Sequence, residues 1–450
     1  MQALDAETGT TPLADHQQLA RDIFRELIEI DTTDTSGDVT AAAEAVARRL
    51  IDAGFPEEDV RVLGPAPRKS NLVARLRGTG ACRPILLLAH LDVVDARPEE
   101  WATPPFTFVE QDGWFYGRGT TDDKAMASIW VANLLRLKRE GFTPDRDVVL
   151  ALTADEECGD HNGAKWLTGE QRELIDAEFG INEGGIGRIK HGRRISNMVQ
   201  ASEKVYVDFE LVAHGTGGHS SLPTPDNAIY HLSAALARVA AYEFPVKLGE
   251  VARAFFERMA NVESGPTADD LRAVLRTPPD PEAAARLSRI PQYNGMMRTT
   301  WTVTRLDAGQ SNNTIPQTAR AVVNCRLLPG ESPDEVRRLL VETVADERVE
   351  VRPLVAAKPS PPSPLTPELM GAVERITEEL WPGVPVVPTM GIGGTDSLYF
   401  RQAGIPMYGV SGLFFDVDDV RAHNPDERIS VRSYFEGQEF LYRLVRALAG

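Results

Sequence analysis

Only three cysteines occur in the 450 residues, Cys82, Cys158 and Cys325. They are too few and too scattered for a disulfide framework or a cysteine-rich metal site, and reduced thiols are the expectation. Cys158 stands beside Glu157 with no basic neighbour, so it reads as a small neutral packing residue and not as a nucleophile. No apolar stretch reaches the ~18 residues that a membrane span needs. The first twelve residues are polar and acidic, without the basic stretch followed by an apolar run that marks a secretory leader. Positive charge is also scarce: 48 Lys and Arg stand against 66 Asp and Glu, a net charge of -18. Nucleic acid and membrane both drop out as expected partners, because nucleic acid and anionic lipid surfaces require clustered Lys and Arg. These absences predict a soluble, cytoplasmic protein. No internal repeat is visible, and the one biased segment is the run Lys358-Pro359-Ser360-Pro361-Pro362-Ser363-Pro364.

What is present is polar chemistry at the ends of apolar runs. Ala89-His90-Leu91-Asp92 follows Ile85-Leu86-Leu87-Leu88, and Thr153-Ala154-Asp155-Glu156-Glu157 follows Val148-Val149-Leu150-Ala151-Leu152. Such runs fit strands covered on both faces. In open α/β sheets, ligand groups gather outside the carboxyl ends of such strands. Gly117-Arg118-Gly119-Thr120-Thr121-Asp122-Asp123-Lys124 precedes a helical stretch over about 125–139. Ile181-Asn182-Glu183-Gly184-Gly185 places one glutamate at a further strand-to-glycine boundary, and Ala422-His423-Asn424-Pro425-Asp426-Glu427 offers a histidine ahead of a final helix. Imidazole with carboxylate is the ligand set of catalytic zinc.

In order and type these motifs resemble those of the cocatalytic zinc peptidases that include aminoacylase, carnosinase, carboxypeptidase G and succinyl-diaminopimelate desuccinylase. The pattern is His-x-Asp, Gly-Arg-Gly-x-x-Asp-x-Lys, Glu-Glu, a single acid and a distant His. The resemblance covers nearly the whole chain. It implies two Zn2+ ions per chain, with Co2+ or Mn2+ as substitutes. His90 and His423 each serve one ion, Asp122 bridges them, and Glu157 and Glu183 complete one each. By chemistry alone Asp123 rivals Asp122, but it occupies the family's variable position before Lys124. Glu156 is the implied base, and Asp92 the carboxylate that holds the other nitrogen of His90. His219, in His214-Gly215-Thr216-Gly217-Gly218-His219-Ser220-Ser221, matches a lid histidine that serves the active site of the partner subunit. Asn313, Arg326 and the loop Gly393-Gly394-Thr395 resemble positions that hold the substrate's carboxylate. The sequence departs from the family at Ala125, where glycine is usual, and at Cys158, where a glycine-like residue is common.

The resemblance also implies the architecture: an α/β zinc-exopeptidase-like catalytic domain, a mixed sheet with helices on both faces, into which an α+β ferredoxin-like lid and dimerisation domain is inserted. Periodicity along the chain is compatible with an insertion. An amphipathic helical pattern over 17–53 is broken by a turn at 31–38. Val205, Val207, Phe209 and Leu211 then alternate with polar residues, the period of a half-exposed antiparallel strand. A helix is expected over 228–241 and a strand-rich stretch over 299–327. Ser332-Pro333-Asp334-Glu335 reads as a helix start. The expected division is 1–203 and 356–450 for the catalytic domain and 204–355 for the lid, returning through the proline-rich run. Residues 243–298 read as an extra helical layer with its own core, more readily than as a pocket wall. The expected reaction is hydrolysis of the amide or peptide bond of a small substrate with a free carboxylate, an N-acyl amino acid or dipeptide. Succinyl or carbamoyl specificity is the alternative, and a non-catalytic binding protein the more distant one.

Overall fold

The computed structural model describes residues 12–450. The leader-free reading of the N-terminus falls, up to residue 11, outside the described residues. The chain divides into two units. The first comprises residues up to 201 with 363–389 and 395–450, and the second 202–362 with 390–394. These boundaries compare with the expected 203/204 and 355/356, and the return to the first unit falls inside the proline-rich run.

The first unit is built on a ten-stranded mixed sheet. Its centre is four parallel strands in the order Val148–Thr153, Ile85–His90, Phe179–Asn182 and Met407–Gly409. Every residue of Ile85–His90 and Val148–Thr153 is buried, which explains why they read as unbroken apolar runs. The antiparallel strand Asn71–Leu76 continues the sheet beyond Val148–Thr153. Helices cover both faces. Leu86, Leu88, Val149 and Ala151 join one cluster with Ala164, Leu167 and Ile175 from Gly163–Glu170 and Arg172–Ile175, and with Phe400 from Ser397–Gln402. The helix Lys124–Arg139 packs against Ile85–His90, between Asp15–Glu29 and Val431–Ala449. Four carboxyl ends therefore emerge side by side at one edge of the sheet, where ligands gather in such folds.

The second unit carries a four-stranded antiparallel sheet in the order Thr300–Ala308, Thr318–Leu327, Val205–His214 and Val349–Pro353. Val205, Val207, Phe209 and Leu211 are buried, as their alternation predicts. They share a core with Leu232 and Val239 of the helix Ala228–Ala241 and with Val336 and Leu340 of the helix Pro333–Val344. Ser332 Oγ accepts from Glu335 N at the start of the latter, and Pro333 fills its first turn. Residues 243–298 form four helices, Glu250–Val262, Gly265–Val274, Pro281–Leu287 and Pro291–Met297. Phe255, Phe256, Met259, Tyr293, Met296 and Met297 are buried among them. Among the described residues no helix is long and apolar enough to cross a membrane.

Candidate metal centre

His90 is the last residue of its strand and is buried. Its Nε2 lies 2.8 Å from Asp122 Oδ1. His423 Nε2 lies 3.2 Å from the other oxygen, Asp122 Oδ2, and 2.9 Å from Glu157 Oε1. Glu183 Oε1 stands 4.0 Å from His90 Nε2. Three sets of ligand atoms lie within 4.8 Å of one another: His90, Glu156 and Glu157; His90, Asp122 and Glu183; and Asp122, Glu157 and His423. Asp122 thus faces one imidazole with each oxygen. Asp123 enters none of these sets, and its Oδ2 is buried without a hydrogen-bond partner.

The donor set fits divalent cations on charge grounds. Asp122, Asp123, Glu156, Glu157 and Glu183 crowd one cleft, and among the described residues their only ion-pair partners are His90 and His423. Nearby Lys and Arg side chains are engaged elsewhere. Lys124 Nζ donates to the carbonyls of Leu27 and Ile30, and Lys69 Nζ pairs with Asp34 and Asp155. Burial, reinforced by the negative carboxylates of Asp396 and Glu157 against the pull of His90, holds Glu156 well above the usual carboxylate range. Burial and its acidic neighbours do the same to Glu183. Asp122 shows the reverse: hydrogen bonds from the two imidazoles outweigh burial and depress it. Like charges placed this close cannot all ionise without cations.

Three further buried carboxylates hold the loops. Asp92 accepts Glu156 N at 3.1 Å and Glu157 N at 3.0 Å, one on each oxygen. His90 Nδ1 is 3.0 Å from the Asp92 backbone carbonyl and 3.6 Å from its carboxylate. The Asp92 side chain therefore stands against His90 Nδ1 and also seats the two glutamates. Glu427, missed from sequence as a functional position, is fully buried. It accepts Gly119 N at 3.1 Å, Thr121 N at 2.6 Å and Asp122 N at 3.1 Å, and pairs with Arg118 Nη1 at 2.6 Å. Arg118 also reaches the carbonyls of His423 and Asn424 at 3.4 Å. Gly119 at φ +87 is required in this turn, because a Cβ would stand 2.8 Å from Val93 Cγ1. Asp396 accepts Thr153 Oγ1 and Asn162 Nδ2, each at 2.7 Å, and burial pushes it up to about 6.

The remaining sequence-derived positions are distributed as follows. His219 and Asn313 meet in a small sheet of the second unit: Gly218–His219 pairs with Thr314–Ile315, and Ser220 N donates to Asn313 O at 3.0 Å. His219 Nδ1 is 2.7 Å from Ser221 Oγ. Arg326, elsewhere in that unit, lies over the Tyr206 ring at 4.6 Å and donates from Nη1 to Ile392 O at 3.2 Å, beside Gly393 and Gly394. Neither of those glycines has a positive φ, and a Cβ at either would meet nothing within 4 Å. Thr395 Oγ1 accepts Ser397 N at 3.2 Å in the first unit. Cys158 departs from its reading as a packing residue, because it is exposed at the tip of the loop that Asp92 seats. Partial desolvation and the nearby acids Asp34, Asp155 and Asp92 push the thiol up to about 11, which agrees with its not being a nucleophile.

Residues 86–447 match the family model described as Peptidase family M20/M25/M40. An N-fatty-acyl-amino acid synthase/hydrolase PM20D1 of Xenopus tropicalis is 33% identical over 370 residues, 81% of this chain and 72% of that protein. Carboxypeptidase S of Saccharomyces cerevisiae is 25% identical over 410 residues, 81% of this chain and 71% of that protein. Among solved structures, an M20 family metallo-carboxypeptidase of Sulfolobus solfataricus superposes with a TM-score of 0.69 at 17% identity, covering 97% of this chain and 99% of that one. Human carnosine dipeptidase 1 gives 0.63 at 15% identity, with 96% and 97% covered.

Proposed function

Since the chain belongs to the peptidase family M20/M25/M40, we propose that this hydrolase cleaves the amide bond of N-acyl amino acids at a pair of zinc ions. The observation that carries this reading is the Asp122 carboxylate shared between the His90/Glu183 and Glu157/His423 groups, with Glu156 alongside. His90, Asp122, Glu157, Glu183 and His423 would hold the two ions, Asp122 being common to both groups. Co2+ and Mn2+ are alternative occupants, because a mixed oxygen and nitrogen set does not select sharply among them. Two divalent cations held there would supply Lewis acidity, acidifying water and offsetting negative charge on oxygen.

The chain's own residues supply the proton transfers. Glu156 is the one glutamate of the pair with no histidine bonded to its carboxylate, and it sits where its basicity is raised. It takes the proton of the attacking water and delivers it to the leaving amine. Asp92 fixes its position through the backbone N–H of Glu156 and Glu157. His219 is assigned to the carbonyl oxygen, a contribution commonly worth ~3 to 4 kcal/mol. Asn313, Arg326 and the Gly393-Gly394-Thr395 loop are assigned to the substrate's carboxylate, which a guanidinium fork suits. The proposal includes a homodimer, each second unit lending His219 to the partner's site, and a cytoplasmic location.

N-acyl amino acids are preferred over other amides on the strength of the 33% identical relative with that substrate class in its name. Peptides with a free C-terminus are the second reading, supported by the carboxypeptidase S similarity. The test is a panel of N-acyl amino acids, dipeptides, and succinyl and carbamoyl amino acids, with released amine as the readout. It is run on zinc-loaded protein whose metal content is fixed by elemental analysis. Cleavage confined to acyl amino acids supports the reading, whereas activity that persists after complete metal removal refutes it.

A further inference from the structure

A cavity of about 170 Å3 opens beside the acid cluster of the first unit. Its walls are Met126, Ile186, Leu413, Phe415 and Val420, and Asp122, Asp123 and Glu183 line the end it shares with the site. Strand geometry accounts for the apolar wall. Along Phe414–Asp416 successive side chains take opposite faces. Phe414 packs edge-on against Trp381 with centroids 4.6 Å apart, and it covers Gly187, where a Cβ would lie 2.4 Å from the ring. Phe415 consequently turns into the cavity. The first unit leaves only three large apolar side chains exposed among its described residues, Ile51, Ile186 and Val420. Two of the three line this cavity, so the apolar surface left open to water is concentrated beside the chemistry. A mostly apolar concavity with polar groups gathered beside it is the usual form of a small-molecule site.

Charge decides which part of a substrate belongs there. The inner end is acidic, with Asp123 Oδ2 unpartnered. Arg421, the cation among the lining residues, is already bonded to Asp419 Oδ1 at 2.7 Å and to the Asp426 carbonyl at 3.4 Å. With the ions on Asp122 and Glu183, the lining holds no uncommitted cation to bind a free carboxylate, whereas an uncharged hydrocarbon needs none. We propose that this cavity seats the acyl chain of the substrate and tunes the enzyme to a linear acyl group of about six carbons, the size that a 150 Å3 cavity accommodates when it takes up benzene. The assignment rests on the N-acyl amino acid reading given above.

The test compares acetyl-, butyryl-, hexanoyl- and decanoyl-alanine on the metal-loaded enzyme. Burial of each methylene is worth roughly fourfold in kcat/KM. The value should therefore climb on the order of a hundredfold from acetyl to hexanoyl and level off by decanoyl. Ile186→Trp fills the cavity and Val420→Asp charges its lip. Both positions are solvent-accessible, so the fold tolerates them, as circular dichroism will verify. Each variant should lower the hexanoyl-to-acetyl ratio of kcat/KM by about tenfold or more. Binding gives a reading independent of turnover: the fluorine NMR signal of a terminally trifluorinated hexanoyl-alanine should broaden with the wild-type protein and stay sharp with Ile186→Trp. A flat chain-length profile, an unchanged ratio in both variants, or equal broadening with Ile186→Trp overturns the pocket. Failure to cleave any acyl-alanine overturns the proposed function, and the NMR comparison still decides whether the cavity holds the chain.

Discussion

Replacing Glu427 by Gln tests whether the acid cluster depends on a residue that is not itself a proposed ligand and meets Asp122 only through its backbone N–H. Its carboxylate accepts three backbone N–H groups from the Gly119 to Asp122 turn and pairs with Arg118, itself only 3% exposed. Glutamine keeps the shape and one acceptor oxygen, but turns an NH2 group toward donors and leaves the Arg118 charge unpaired. Removing one partner of a buried ion pair costs about 3–5 kcal/mol. Against a total stability of about 5–15 kcal/mol, the variant should fold but unfold at distinctly lower urea. The second consequence is local: with the turn loosened, Asp122 no longer presents one oxygen to each imidazole, and both groups of ligands are affected together. Loss of an outer partner commonly costs 10–100-fold in metal affinity, and about that loss is expected for both ions here. Urea unfolding of metal-free protein and calorimetric titration with zinc measure the two effects, with the exposed Asp418→Asn as a control expected within about 0.5 kcal/mol of wild type. Wild-type stability and wild-type affinity in Glu427→Gln would show that the hydrogen bonds to Glu427 do not hold the site.

Glu156→Gln should keep both metals by elemental analysis while kcat falls about 10²–10⁴-fold, whereas Glu157→Gln should lose metal; the opposite pairing would reverse the two roles. Burial holds the Lys204 ammonium down to about 7 in the folded state, against about 10.4 when unfolded. Between those values the unfolded chain binds the extra proton, so this residue's contribution makes stability rise with pH by at most about 1.4 kcal/mol per unit. Lys204→Met should flatten the rise in melts between pH 7 and 10, and an unaltered slope counts against it. His219→Ala and Glu156→Ala should each be nearly inactive alone yet, co-expressed, recover roughly a quarter of wild-type activity if two chains share sites in a C2 dimer. No recovery in a preparation shown by mass spectrometry to contain heterodimers would place His219 in its own chain's site or in none.

The strand ends are legible because burial on both faces leaves a plain trace, an unbroken apolar run stopping at a polar residue, as at His90 and Thr153. The alternation at 205–211 and the Ser332 cap are legible for the same local reason. The structure also separates Asp122 from Asp123, which chemistry alone leaves as rivals, since only Asp122 presents an oxygen to each imidazole. What stays hidden depends on contacts between remote segments. In Ala422-His423-Asn424-Pro425-Asp426-Glu427 only the histidine stands out, and nothing local reveals that Glu427 is buried against a turn about 300 residues earlier. In the same way Asp92 reads as a partner of the neighbouring His90, beside which it stands, but nothing local reveals that its carboxylate also accepts N–H groups of a loop more than 60 residues on. Cys158 misleads in the opposite way: a cysteine without a basic neighbour reads as packing, though it is exposed.

Once their hydrogen bonds are traced, the acids of the first unit fall into two chemical kinds. Asp92, Asp396 and Glu427 have their oxygens satisfied by backbone N–H groups, a hydroxyl, an amide or a guanidinium, and each ties together segments distant in sequence. Among the described residues Glu156 and Glu183 receive no such donors, Asp123 keeps Oδ2 unpartnered, and Asp122 and Glu157 receive only imidazoles. The first kind has its oxygens satisfied within the protein and fixes geometry; the second crowds carboxylates that either hold protons or are balanced by cations. Because the bracing set needs no metal, the loops bearing His90, Asp122, Glu157 and His423 are held before any ion binds. The ions then add to a site already shaped for them, and removing them should leave the fold standing while emptying it of activity.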